Sequence, residues 1–232
     1  MNLILLQRLA DGAGFYAETN LKYIIVEPWN ALSSLTFWIP VFYWMYKLRG
    51  RYREYVFLTW CMPLLFLGGL GSALFHAFRM YPIFLAMDVL PILILNLALI
   101  IYFWVKVLPH WSYAVILTFS MTLIQFIVFR YFAPPFSINI GYFIRGVMIF
   151  LPTLLILNKM KFKNANYLFS AIAFFILALI FRYLDKEVIN WMYMGSHWLW
   201  HISTAIGAYF LAQFLYEFAN FEKSQKRMGV IA

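Results

Sequence analysis

The sequence predicts an all-α polytopic membrane protein, a bundle of seven transmembrane helices forming a single domain over residues 1–232. Hydrophobic residues, counted as AVILMFWYC, make up 65% of the chain, and mean hydropathy is +0.78. Charged residues are 12%, about half the share of roughly 25% found in soluble domains. A soluble fold of this size needs a polar skin that these residues cannot supply, so the solvent is lipid. Short polar breaks also divide the chain into apolar stretches of about 20 residues, the length that crosses a bilayer core.

The stretches run in order. Residues 1–28 form a short N-terminal interfacial segment; MNLILLQRLADG has neither a basic leader nor a small-residue cleavage site behind it. The first span, 29–48, starts behind Pro28 and contains Pro40. The second, 55–76, carries Pro63 and, near its outer end, Gly68, Gly69 and Gly71, which let another helix approach closely. The third, 82–104, opens on Pro82 and contains Pro91. A proline at a helix start costs little, and one inside a span is tolerated when neighbouring helices satisfy the freed carbonyl. The fourth is 111–130, the fifth 140–158 with Pro152 inside it, the sixth 166–184 and the seventh 196–217, leaving a short tail, 218–232. No linker is long enough to separate a second domain.

The net charge of +9 arises from 18 basic and 9 acidic residues. No basic, aromatic-lined groove accompanies it, so nucleic-acid binding is excluded. Lysine and arginine instead gather at alternate breaks, 11 on one side against 6 on the other, with Arg145 inside the fifth span. The richer side is cytoplasmic by the positive-inside rule. The N-terminus then faces outward and the C-terminus inward. The single cysteine, Cys61, excludes an internal disulfide and a cysteine-rich metal site.

Ionisable groups inside a span are costly, and each marks a candidate function. The second span ends in GSALFHAF, with Ser72 and His76; the third carries Asp88; the seventh opens GSHWLWHISTAIGAY, with His197 and His201. Ser72 and His76 stand four apart and share a helix face, as do His197 and His201. Glu27 and Asn30, in VEPWN before the first span, belong to the same group, although either serves equally as a helix cap. Span polarity puts all seven at one depth, on the outer side. His110 falls on the opposite side and is excluded. Trp191, Trp198 and Trp200 read as interfacial belt or packing.

Three histidines with one nearby carboxylate suggest zinc held by His76, His197 and His201 with a fourth position open, the pattern of a catalytic site. Zinc would activate a water, Asp88 could accept its proton or orient it, and Ser72 could stabilise the developing oxyanion. The expected chemistry is hydrolysis of an amide or ester whose tails lie in the bilayer. The partner is therefore a membrane lipid, and the site opens on the extracytoplasmic side. A non-catalytic lipid receptor would use the same residues. Haem carried by paired histidines is a third reading, but it leaves Ser72 and Asp88 without a role.

The set Ser72-x₃-His76, Asp88, His197-x₃-His201 resembles the signature of the CREST superfamily of seven-helix membrane hydrolases, and within it the alkaline ceramidases. HWLWHISTAIGAY is similar to their last helix, and Glu27-Pro28-Trp29-Asn30 to the opening of their first. The resemblance implies zinc on the three histidines, catalytic roles for Ser72 and Asp88, and cleavage of ceramide or a related N-acyl lipid to fatty acid and sphingoid base or another amine. It leaves acyl-ester hydrolysis as the alternative within the superfamily. It also implies a calcium site from Glu18, Asn20 and Glu27, although Phe15 stands where the family has an aspartate. The compact chain is similar to a bacterial member of the group.

Overall fold

The computed structural model describes residues 14–133 and 136–229, and among these it is helical with no strand. The opening apolar run and the last residues of the tail lie outside the described residues. Helices α1 (Pro28–Ser34) and α2 (Trp38–Lys47) are followed by α3 (Val56–Phe78), α4 (Pro82–Val105), α5 (Trp111–Tyr131), α6 (Phe136–Lys159), α7 (Ala165–Leu184) and α8 (His197–Arg227). Five of them, α3 to α7, are long and apolar enough to cross a membrane. Sequence reading places these five within a few residues, the largest difference being α6, which starts four residues earlier than expected.

The first predicted span is not one continuous helix. A 3₁₀ turn, Leu35–Phe37, separates α1 from α2. The residues dictate the break. Ser33 and Ser34 hydroxyls donate to the Asn30 carbonyl at 3.1 and 2.7 Å, and the Thr36 hydroxyl donates to the Ser33 carbonyl at 2.6 Å. Such side-chain bonds compete with the helical ladder. Pro40 then withholds the N–H that the Thr36 carbonyl would have received. The turn brings the serines to the candidate site instead of leaving them on a regular helix face.

The last span differs in the other direction. Helix α8 continues to Arg227, so most of the expected tail is helix. Its polar residues find partners on the other helices and loops. Lys47 Nζ donates to Gln213 Oε1 at 2.8 Å, Tyr55 Oη to Asn220 Oδ1 at 2.6 Å, and Lys106 Nζ pairs with Glu222 at 2.8 Å. These residues, together with the histidines, make α8 less apolar than the other long helices.

Helices α3 and α4 pack together along their lengths, as do α7 and α8, while α1 lies against both α3 and α8. The core beneath the site is built from Trp44, Leu58, Phe103, Leu157, Phe214 and Phe218. Gly71 is where α3 meets α4 most closely: a Cβ there would stand 2.1 Å from the Met87 carbonyl oxygen and 2.6 Å from the Asp88 nitrogen. Only glycine permits that approach, and it sets Asp88 beside Ser72.

Candidate metal centre

Helices α3 and α8 bring three imidazoles together. His76, His197 and His201 are buried, with 1, 2 and 3% of their surface exposed. Their ring centroids lie 5.3 Å apart for His76 and His197, 5.0 Å for His76 and His201, and 4.7 Å for His197 and His201. Each offers one ligand atom within 4.8 Å of the other two. The i, i+4 spacing on α8 supplies two of the rings from one helix face, and the last full turn of α3 supplies the third.

The outer side of two rings is already engaged. His76 Nδ1 lies 2.5 Å from Glu27 Oε2, and His201 Nδ1 lies 2.8 Å from Ser33 Oγ. A histidine whose Nδ1 is held by a carboxylate or hydroxyl presents Nε2 to a metal, the usual supporting arrangement around such ions. His197 Nδ1 is buried with no hydrogen-bond partner among the described residues. An orphaned ring nitrogen in a cluster of three imidazoles fits a bound cation.

Ser72 and Asp88 sit alongside. Ser34 Oγ lies 3.1 Å from Ser72 Oγ, from which it can accept, and 3.4 Å from His201 Nδ1, so the 3₁₀ turn ties the Ser72 hydroxyl to the histidine cluster. The Asp88 carboxyl lies next to Ser72 and within electrostatic reach of His76. The predicted set is thus brought together in one place. His110 is remote from it and caps α5, accepting from the Ser112 N–H at 3.3 Å.

Glu27 is buried completely. Besides His76, its carboxylate accepts from the Thr19 hydroxyl at 2.5 Å and forms an ion pair with the Arg79 guanidinium. Arg79, an outer-loop charge by sequence, is 2% exposed. Its left-handed backbone (φ 49°) ends α3 and turns the side chain back over the Phe75 ring, where it also reaches the Gly14 carbonyl at 2.8 Å.

The residues implied as calcium ligands have other work. Both oxygens of Glu18 accept from the first turn of α1, from Trp29 N at 2.6 Å and Asn30 N at 2.9 Å. Burial pushes the Glu18 carboxyl up, against the two N–H groups that favour its charge. Asn20 Oδ1 accepts from Lys22 N at 3.1 Å. With Phe15 replacing a carboxylate and the Arg79 cation against Glu27, this set does not fit a calcium ion.

Two further supports carried no sequence signal. Asp185, at the end of α7, accepts from the Ser196 and His197 N–H groups at 3.0 and 2.9 Å through Oδ1, and from Ala17 N at 2.9 Å through Oδ2. It caps α8 at the turn bearing His197 and fastens the N-terminal segment across the bundle. Tyr16 in that segment stacks on His197 with ring centroids 4.1 Å apart and meets His76 edge-on at 5.1 Å. Burial pushes the Tyr16 phenol well above its ordinary range, so it stays protonated. Neither residue lies in a motif; both act only once the loops close over the helices.

The Ceramidase family model matches residues 17–230, nearly the whole chain, so the protein belongs to that family of lipid amide hydrolases. No curated protein matched the chain.

Proposed function

We propose that this ceramidase-family protein hydrolyses the amide bond of ceramide or a related N-acyl lipid within the membrane, with zinc as its metal. The observation that carries the reading is the buried triad His76, His197 and His201 with Ser72 and Asp88 beside it. Three imidazole donors with a fourth position left for water or substrate suit zinc. When bound, the ion supplies Lewis-acid polarisation of the carbonyl and acidifies a water. The three histidines would hold it, and Glu27 and Ser33 orient two of the rings. Asp88 is placed to accept the proton of the attacking water and return it to the leaving nitrogen. Ser72 is placed to donate to the oxygen on which charge develops. Water oxygen bonds to the acyl carbon, the C–N bond breaks, and the products are a fatty acid and an amine.

An apolar cavity lined by Pro40, Trp44, Met62, Leu95, Leu99 and Leu211 lies between α2, α3, α4 and α8. Met62 stands ten residues before Ser72 on α3, and Leu211 ten after His201 on α8, so this cavity lies deeper than the histidines and suits the acyl tail. We read all seven predicted spans as crossing the bilayer, with α1 and α2 as one span and α8 as the last. Basic residues, 11 against 6, favour the side opposite the site, which places the site and N-terminus extracytoplasmic and the C-terminus cytoplasmic.

Fatty acid release from detergent-purified protein, on amide and ester lipids with matched acyl chains, tests this. About one zinc per chain is expected, lost in both His76→Ala and His201→Ala. Asp88→Asn is expected to keep the metal and lose hydrolysis. A metal-replete protein that releases no fatty acid from the amide lipids overturns the reading.

A further inference from the structure

Arg145 and Arg182 are two charges within predicted spans that the hydrolytic residues leave unused. Arg145 is the tenth residue of α6, and Arg182 lies two residues before the end of α7. Their guanidinium groups share one ring: they lie 5.2 and 4.9 Å from the centre of Tyr142. Among the described residues neither forms an ion pair with a carboxylate. Arg145 Nε donates only to the neutral Gln125 Oε1, at 3.0 Å. Arg182 lies beside the neutral Tyr16 hydroxyl and 5.5 Å from the Trp200 ring. The carboxylate of Asp185, one turn on, is taken by three backbone N–H groups. Two like charges held around one ring in an apolar bundle raise each other's cost, and an anion relieves both.

A chain of rings links the pair to the candidate metal centre, while Arg145 also lines a cavity between α4, α5 and α6. Tyr142 meets Trp200 edge-on at 5.0 Å, and Trp200 lies parallel to His197 at 6.5 Å. Arg182 reaches the centre directly through Tyr16, which stacks on His197. Arg145 folds back along α6 toward its N-terminal end, as helical side chains do. A Cβ on Gly141 would stand 3.3 Å from its Nη2, so the glycine clears the space for the guanidinium. The arginines lie on the α6 and α7 side of the histidines, whereas the apolar cavity lies on the α2, α3 and α4 side. A lipid with its amide at the histidines and its tail in that cavity directs its amine portion toward the arginines.

We propose that Arg145 and Arg182 bind an anionic group of the substrate, so that the N-acyl lipid cleaved here carries a carboxylate, phosphate or sulfonate on its amine portion. This substrate class rests on the amide-hydrolase reading, so the test measures binding as well as turnover. N-oleoylglycine and N-oleoylethanolamine share an acyl chain and differ in charge. The expected result is a kcat/KM at least about tenfold higher for N-oleoylglycine, a difference of about 1.4 kcal/mol. Arg145→Gln and Arg182→Gln should each collapse that ratio, and Arg145→Lys should restore part of it, since lysine keeps the charge but not the planar fork. Equal turnover of the two lipids by the unaltered protein, or a ratio that survives both glutamine variants, overturns the proposal.

If neither lipid is hydrolysed, the hydrolase reading falls and the melting temperature decides the anion site. A rise with N-oleoylglycine and none with N-oleoylethanolamine, absent in Arg145→Gln, supports it. An equal rise with both overturns it. A rise with phosphatidylglycerol as large as with N-oleoylglycine assigns the arginines to bilayer phosphate and overturns the substrate claim.

Discussion

His76 Nδ1 and Glu27 Oε2 face each other at 2.5 Å, and the same carboxylate holds the Arg79 guanidinium through its other oxygen. One buried acid therefore orients an imidazole of the centre and neutralises a cation brought in from the end of α3. Glu27→Gln removes the charge that serves both. The expected outcome is a loss of metal affinity of about 10- to 100-fold, read by competition with a chelator. Melting temperature should fall as well, because the buried Arg79 guanidinium loses the Glu27 carboxylate. Unchanged metal affinity would show that Glu27 serves only Arg79.

Gly71→Ala drives a methyl group into the Met87 carbonyl. Helices α3 and α4 must part to admit it, at a cost of about 1–3 kcal/mol. Because that contact seats Asp88 beside Ser72, hydrolysis should fall much further than stability, while metal content stays. A variant with lower melting temperature and full turnover would show that Asp88 tolerates the displacement.

Asp185→Ala leaves the Ala17, Ser196 and His197 N–H groups without their acceptor. Loss of a cap costs about 0.5–2 kcal/mol, and three unpaired donors place the expected effect at the upper end. Thermal melting measures it. Amide exchange should quicken at Ala17 and at the start of α8 together; exchange confined to one of them would count against a shared fastening.

Glu54 lies outside the spans, 3.0 Å from Arg51 and 3.2 Å from Lys223 of α8. The Arg51 hydrogen bond first, then that of Lys223, holds its carboxyl down to about 2, against an ordinary 4.5. A carboxyl held below its unfolded value adds stability above that value and loses it as pH falls. The small advantage of the unaltered protein over Glu54→Gln should therefore be full above about pH 4.5 and vanish toward about pH 2. High salt should shrink it, since the pair is exposed. Melting curves of both proteins across that range check the sign; an advantage growing on acidification would refute it.

The five residues Ser72, His76, Asp88, His197 and His201 were legible because their spacing and depth are properties of single helices and of span order. A four-residue step fixes a face, and alternating span direction fixes an end. Arg79 and Asp185 were not legible for the opposite reason. Each sits at a helix end where charge is ordinary, and only the closed tertiary structure turns it inward. Ser33 and Ser34 were hidden by the assumption of a regular first helix, which their own hydroxyls and Pro40 break. The continuation of α8 past residue 217 was hidden likewise. Its polar residues look like a solvated tail until Asn220 and Glu222 are seen to pair with Tyr55 and Lys106. What the sequence could not show for the calcium set is that Glu27 pairs with the Arg79 guanidinium.

Asp185 grips the N-terminal segment with one oxygen and the first turn of α8 with the other. Tyr16, next to the residue it grips, lies as a roof on the imidazoles. Lifting that roof would therefore pull on the turn of α8 that carries His197, so any opening of the outer face is coupled to the seating of that imidazole.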